Sequence, residues 1–199
     1  MDINNLINSV IADQLSKSVS QKINISEDKS RDVVNMAVPL LVAGLAKNAK
    51  NPKEAKNISE AISKDHDGSI LNDLSSVFLS GGREQEGEKI IEHILGKKVE
   101  PASKAIGNQV QVNPEQVKKV LSLVAPVVMG AIGSKQKTGG LDSSTLTDFL
   151  QETVTKKVSG SNQQDNLLTQ ILDQNKNGSV IDEIINFVLK LISGKSKRR

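Results

Sequence analysis

Val33-Val34-Asn35-Met36-Ala37-Val38-Pro39-Leu40-Leu41 and Val120-Leu121-Ser122-Leu123-Val124-Ala125-Pro126-Val127-Val128 are two apolar runs of one design, with Pro39 and Pro126 in register at an offset of 87 residues. Each is followed by small residues set among large ones, Ala43-Gly44-Leu45-Ala46 in the first copy and Gly130-Ala131-Ile132-Gly133 in the second. A proline inside a helix removes one backbone hydrogen bond and crowds the preceding turn, so each run is expected to kink or restart at its proline. The small residues allow a neighbouring backbone to approach, and the pattern predicts two kinked core helices packed on each other. A second echo pairs Asp67-Gly68-Ser69-Ile70-Leu71-Asn72-Asp73 with Asn177-Gly178-Ser179-Val180-Ile181-Asp182-Glu183.

Outward from these runs the three-and-four spacing of apolar residues continues. Positions 3, 6, 7, 10, 11, 15 and 19 form one stripe of a helix over about 2–22. Ser26 followed by Glu27 and Asp28 is an N-cap with carboxylates on the positive end of the dipole, and opens a helix to about Asn48. Asn51-Pro52 starts the next. Further helices are expected over 69–79, up to Gly96 as a left-handed C′ residue, over 101–110, and from the Asn113-Pro114-Glu115 cap to Gly133. Ser134 to Gly140 reads as a flexible basic linker, followed by helices over 143–158, 164–173 and 179–193. No stretch alternates with period two between hairpin turns.

The expected fold is therefore all-α, a bundle of about nine to ten helices with an internal pseudo-repeat. Its expected organisation is an N-terminal helix over 1–24, helical halves over 25–110 and 111–194, and a basic disordered tail over 195–199.

The 199 residues include no Cys, Trp or Tyr and three Phe, so disulfides, thiol nucleophiles, Cys-bound metals and base stacking are excluded or starved of material. The acidic, polar N-terminus lacks the basic-then-apolar pattern of a signal peptide, and the apolar runs are too short to span a bilayer of about 30 Å. A cytoplasmic location is expected. Four of the last five residues, Lys195, Lys197, Arg198 and Arg199, are basic, while the remaining 22 basic and 23 acidic residues nearly cancel. That tail is the candidate for contact with nucleic acid or an acidic surface, and the near-neutral body argues against a dedicated nucleic-acid role.

Asp173, Asn175, Asn177 and Gly178 occupy positions one, three, five and six of a calcium loop, but position twelve is Ile184 where a bidentate Glu belongs. The earlier copy keeps Asp65, Asp67 and Gly68 but has Ser63 and Leu74 at the two ends. These residues are the weak metal candidates. The favoured account is structural: Gly68 and Gly178 make tight turns, and Ser69 and Ser179 cap the helices that follow.

The stretch Gly82-Arg83-Glu84-Gln85-Glu86-Gly87-Glu88-Lys89 resembles a phosphate loop only superficially, because Glu88 intervenes and no hydroxyl follows Lys89. It reads as a solvated turn between helices. Of the two histidines, His66 falls in a loop, and His93 sits near the end of its helix, where it complements the dipole. No nucleophile elbow and no helical zinc motif is present, so no catalytic constellation and no cofactor is expected.

Three blocks in order, Asp67-Gly68-Ser69-Ile70-Leu71-Asn72-Asp73-Leu74, Gly87-Glu88-Lys89-Ile90-Ile91-Glu92-His93-Ile94-Leu95-Gly96 and Leu123-Val124-Ala125-Pro126-Val127-Val128-Met129-Gly130-Ala131-Ile132-Gly133, resemble the hallmarks of the bacterial domain of unknown function 937 family with its YidB-like relatives. The resemblance implies a bacterial, intracellular, helical protein without assigned activity or catalytic residues. Members often carry a Gly-His pair before the Ile-Leu/Phe-Gly ending, whereas here Glu92 precedes His93. The functional expectation is a non-enzymatic helical scaffold or interaction module that associates with itself or with another protein. The alternatives are a ligand- or cation-responsive protein using the Asp/Asn-Gly-Ser turns, and an acidic-surface binder using the tail.

Overall fold

Helix α1 (Val10–Ile23) buries Leu15, Ser16 and Val19 completely and turns Asp13, Gln14, Lys17, Gln21 and Lys22 to solvent. It ends at Asn24, whose φ of 57° is a left-handed conformation that Asn tolerates. The computed structural model describes residues 10–74, 78, 83–139 and 141–159, excepting the side chains of 10, 143 and 154–159. The first part of the helix expected over 2–22, the helices expected over 164–173 and 179–193, and the candidates Asp173, Asn175, Asn177, Gly178, Ser179, Lys195, Lys197, Arg198 and Arg199 lie outside the described residues.

Ser26 caps α2 (Glu27–Asn48), its hydroxyl accepting the Lys29 N–H at 3.4 Å. The buried Ser30 hydroxyl donates to the Ser16 carbonyl at 2.7 Å and ties α2 to α1. Asn51 caps α3 (Pro52–Asp65), accepting the Lys53 N–H at 2.9 Å, with Pro52 at the first helical position. After the 3₁₀ turn Ser69–Asn72 and the buried Leu74 and Phe78 come α4 (Glu84–Leu95), the 3₁₀ turn Gly96–Lys98 and α5 (Val99–Val110). Asn113 caps α6 (Pro114–Gly139), accepting the Glu115 N–H at 2.8 Å. Asp142 opens α7 (Ser143–Ser159).

All described regular structure is helical. Helix α6 is the axis of the molecule: α1, α2, α3, α4, α5 and the first 3₁₀ turn pack around it, and α7 covers α2 and α3. Every residue from Val120 to Gly133 is buried, so this stretch is apolar on all sides because it has neighbours on all sides. By length and composition α6 is apolar enough to cross a membrane, but 83% of that window is buried inside the chain, where it serves as core. The expectation that the apolar run is too short to span therefore rested on too short a helix.

Four further expectations are corrected. Of the two outcomes expected at the prolines, kink or restart, the restart is ruled out: both lie within continuous helices, Pro39 half-buried and Pro126 buried, and the packing around them outweighs the lost backbone bond. The expected linker from Ser134 is helical as far as Gly139, since Gln136 bonds Ser59 (2.8 Å) and Ser63 (3.0 Å) and Lys137 pairs with Asp67 (3.3 Å). The helix expected over 69–79 begins as the 3₁₀ turn Ser69–Asn72 and is broken at Asp73, which has φ −150° and ψ 72°; Leu74 and Phe78 beyond it are α-helical, and 75–77 and 79 lie outside the described residues. Ser69 does not cap it: Asp67 Oδ1 accepts the Ser69 N–H at 3.0 Å, two residues ahead, and Gly68 takes φ 95°. The described residues thus do not support nine to ten helices.

Candidate functional site

The three blocks of the resemblance meet around α6, and glycine is what lets them. A Cβ on Gly87 of α4 would run into the Ser122 carbonyl of α6, and one on Gly133 would run into the His66 carbonyl. Gly130 faces Ile70, and Gly44 of α2 faces Ile94 of α4. The glycines among the small residues of α2 and α6 therefore do not serve the contact between those two helices. They seat the 66–70 turn and α4, although α2 and α6 do pack on each other elsewhere.

Held on this common support, α3 and α4 pack against α2 and α6 rather than along one another. An open cleft of about 900 Å³ runs between them. Its floor is Leu45, Ile58, Ile94 and Met129, all buried, with Ala61 and Ile90 partly exposed on the walls. Lys64, Asp65, Arg83, Glu86 and Lys89 form much of its charged rim. The stretch 84–89, expected as a solvated turn, is the first half of α4 and supplies one wall.

The two histidines mark the two ends. At one end the His66 Nε2 lies 3.6 Å from Glu86 Oε1, the oxygen that also pairs with Arg83 Nη1 at 3.5 Å. At the other, His93 Nε2 lies 3.2 Å from Glu54 Oε2. Since Glu54 opens α3 and His93 closes α4, the helices run antiparallel and are bridged by these pairs.

The two histidines differ in setting. The His66 side chain is only 5% exposed, its Nδ1 has no hydrogen-bond partner, and burial holds its pKa below the usual value, with Arg83 adding to the effect and Glu86 and Asp65 opposing it. His66 is thus the neutral, C-terminal cap residue of α3. His93 is 59% exposed, and its pairing with Glu54 adds an interhelical tie to the expected place at the helix end. Gly96 has the positive φ expected of it, 54°, but its ψ of −129° lies outside the left-handed helical region.

Asp67, a weak cation candidate, spends Oδ1 on the Ser69 N–H and Oδ2 on Lys137. Those bonds lower its pKa to about 2, the Ser69 backbone N–H contributing most. Asp65 lines the cleft instead of converging with Asp67. Among the described residues, no group of three His, Asp or Glu is placed to hold a metal ion. The arrangement can accommodate an apolar segment on its floor and order that segment's charges along the rim.

Sequence reasoning missed the cleft and the partners Glu54 and Glu86. A signal existed: Asn57, Ile58, Ala61, Lys64 and Asp65 share one face of α3, and Glu86, Lys89, Ile90, His93 and Ile94 share one face of α4.

The sequence profile of one family, described as bacterial protein of unknown function (DUF937), matches residues 5–136. No curated protein and no solved structure matches the chain.

Proposed function

The chain belongs to the bacterial DUF937 family, a family of unknown function, and from that premise we propose that it is a non-enzymatic interaction module whose binding surface is the cleft between α3 and α4. The observation that carries this reading is an open cleft between two antiparallel helices, with the partly exposed Ala61 and Ile90 on its walls above a buried apolar floor and a rim of both charge signs. Such a groove suits an amphipathic helix: apolar residues at three-and-four spacing fill the floor, and flanking charges set direction. The scaffold reading also includes self-association, with a second copy of the chain as one partner. The small-residue stripes that first suggested it are occupied inside the chain, so the cleft is where it would take place.

The test compares wild type with Ala61→Arg, which places a charged stem over the floor. Capture from bacterial lysate should yield partners that the variant loses, and size-exclusion chromatography with light scattering should show any assembly of the wild type reduced to monomer by the variant. Partners and assembly that survive Ala61→Arg unchanged would remove the function from the cleft.

A further inference from the structure

The rim of the cleft is unevenly charged. Toward the His66 end, Lys64, Arg83 and Lys89 stand against Asp65 and Glu86. Arg83 and Glu86 answer each other at 3.5 Å, and the same Glu86 oxygen lies 3.6 Å from His66 Nε2. At the far end Glu54 is engaged with His93 at 3.2 Å. What remains is Asp65 against two exposed lysines, Lys64 and Lys89, neither of which has an ion-pair partner among the described residues.

The two lysines stand on opposite walls. Because the walls run antiparallel with His66 level with Glu86, Lys64 lies two residues and Lys89 three residues further in, about 3 and 4.5 Å along their helices. Both are therefore at nearly one level. Both also line the cleft beside Ala61 and Ile90 while remaining exposed, as a lysine does when its stem lies on apolar surface and its ammonium group in water. A solvated ammonium group costs little to leave unpaired, so these lysines do not require a ligand; they select one, by attracting carboxylates brought to their level and repelling cations. On a helix laid along the cleft, residues i and i+2 are about 200° apart and straddle an apolar stripe, which gives each lysine one carboxylate.

We infer that the cleft takes an acidic amphipathic helix of a partner protein, with two carboxylates straddling its apolar stripe at the end nearer His66, between Lys64 and Lys89. This rests on the cleft being the binding surface and names the chemistry of what binds there. The charge pairs are exposed, so the preference weakens as the Debye length shrinks from about 10 Å at 0.1 M salt to about 3 Å at 1 M.

The test uses the full chain and three synthetic peptides of about 15 residues, enough to cover the α4 wall from Arg83 to Ile94, about 16 Å at 1.5 Å per residue. The first carries leucines at three-and-four spacing with two glutamates straddling the stripe near one end. The second has lysines in place of those glutamates, and the third keeps the glutamates but scatters the leucines around the helix. At low salt, fluorescence anisotropy should show the first binding at least roughly tenfold tighter than either of the others. Lys64→Glu with Lys89→Glu, both at exposed positions where folding is not at stake, should reverse the order of the first two. That pattern supports the inference. Equal affinity for the glutamate and lysine peptides, a preference untouched by the charge reversal, or no binding of the first peptide overturns it. Equal binding of the third also overturns it, as a general attraction of anions. None of these results touches the Ala61→Arg comparison, so the binding surface can stand when its charge selectivity falls.

Discussion

Gly133 sets how closely the His66 carbonyl approaches α6, and so where the end of the cleft lies. Gly133→Ala places a methyl into backbone rather than into a movable side chain. It should cost about 1–3 kcal/mol as overpacking, read as an earlier denaturant midpoint, and an unchanged midpoint would show that the turn can back away freely. Ser103 is a contrasting case: its buried hydroxyl has no hydrogen-bond partner. Ser103→Ala should stabilise by roughly 1 kcal/mol, since an unsatisfied polar group is removed at almost constant shape, and a loss of stability would expose an unrecognised partner.

His66 gives the pH response its sign. Its pKa is lowered in the folded chain, chiefly by burial, with Arg83 in the same direction and Glu86 and Asp65 against. Between the folded value and the ordinary 6.5 the unfolded chain therefore binds more protons, and stability falls as pH drops through that window. Thermal melts between pH 7.5 and roughly 5 should show this fall in wild type and less of it in His66→Asn; parallel curves would remove His66 from the account.

At the scale of elements, α7 depends on its first turn. Asp142 Oδ1 accepts the Ser144 N–H and Thr145 N–H, both at 2.9 Å, and the Asp142 N–H donates to Thr145 Oγ1 at 3.0 Å, a reciprocal capping box. The Ser144 hydroxyl does most to lower the Asp142 pKa to about 2. A carboxylate lowered this way stabilises above its unfolded pKa and ceases to as pH falls toward 2. Asp142→Ala should therefore lower the melting temperature at pH 7 and leave it nearly unaltered at pH 2; an equal loss at both would mean that the charged cap is not what holds α7.

Caps of this kind are what made helix starts legible. Ser26, Asn51 and Asn113 each act within their own first turn, so a local reading of the sequence finds them. Ser69 misled because Asp67, two residues earlier, competes for the same N–H. The 134–139 stretch misled because its polar composition is that of a linker, while its order comes from Ser59, Ser63 and Asp67, some 70 residues away in sequence.

For the whole molecule, one cluster of buried side chains takes members from α1 through α7, which is why α6 could be recognised early as core. Leu121 is fully buried at its centre, and Leu121→Ala should cost about 2–5 kcal/mol in urea unfolding. A cost under about 1 kcal/mol would mean that α6 is not the axis of the fold. The cleft was not legible in the same way. Its walls are two short helices separated in sequence by residues 66–83, its end pairs, His66 with Glu86 and Glu54 with His93, are tertiary, and the Gly87 and Gly133 contacts that seat the walls depend on α6. The most direct test of the cleft as binding surface is a photo-crosslinking amino acid placed in bacterial cells at Ala61, at Lys89 and at Lys17. Discrete adducts from the two cleft positions and none from Lys17 are the predicted result; the same adducts from all three positions, or none from the cleft, would contradict it.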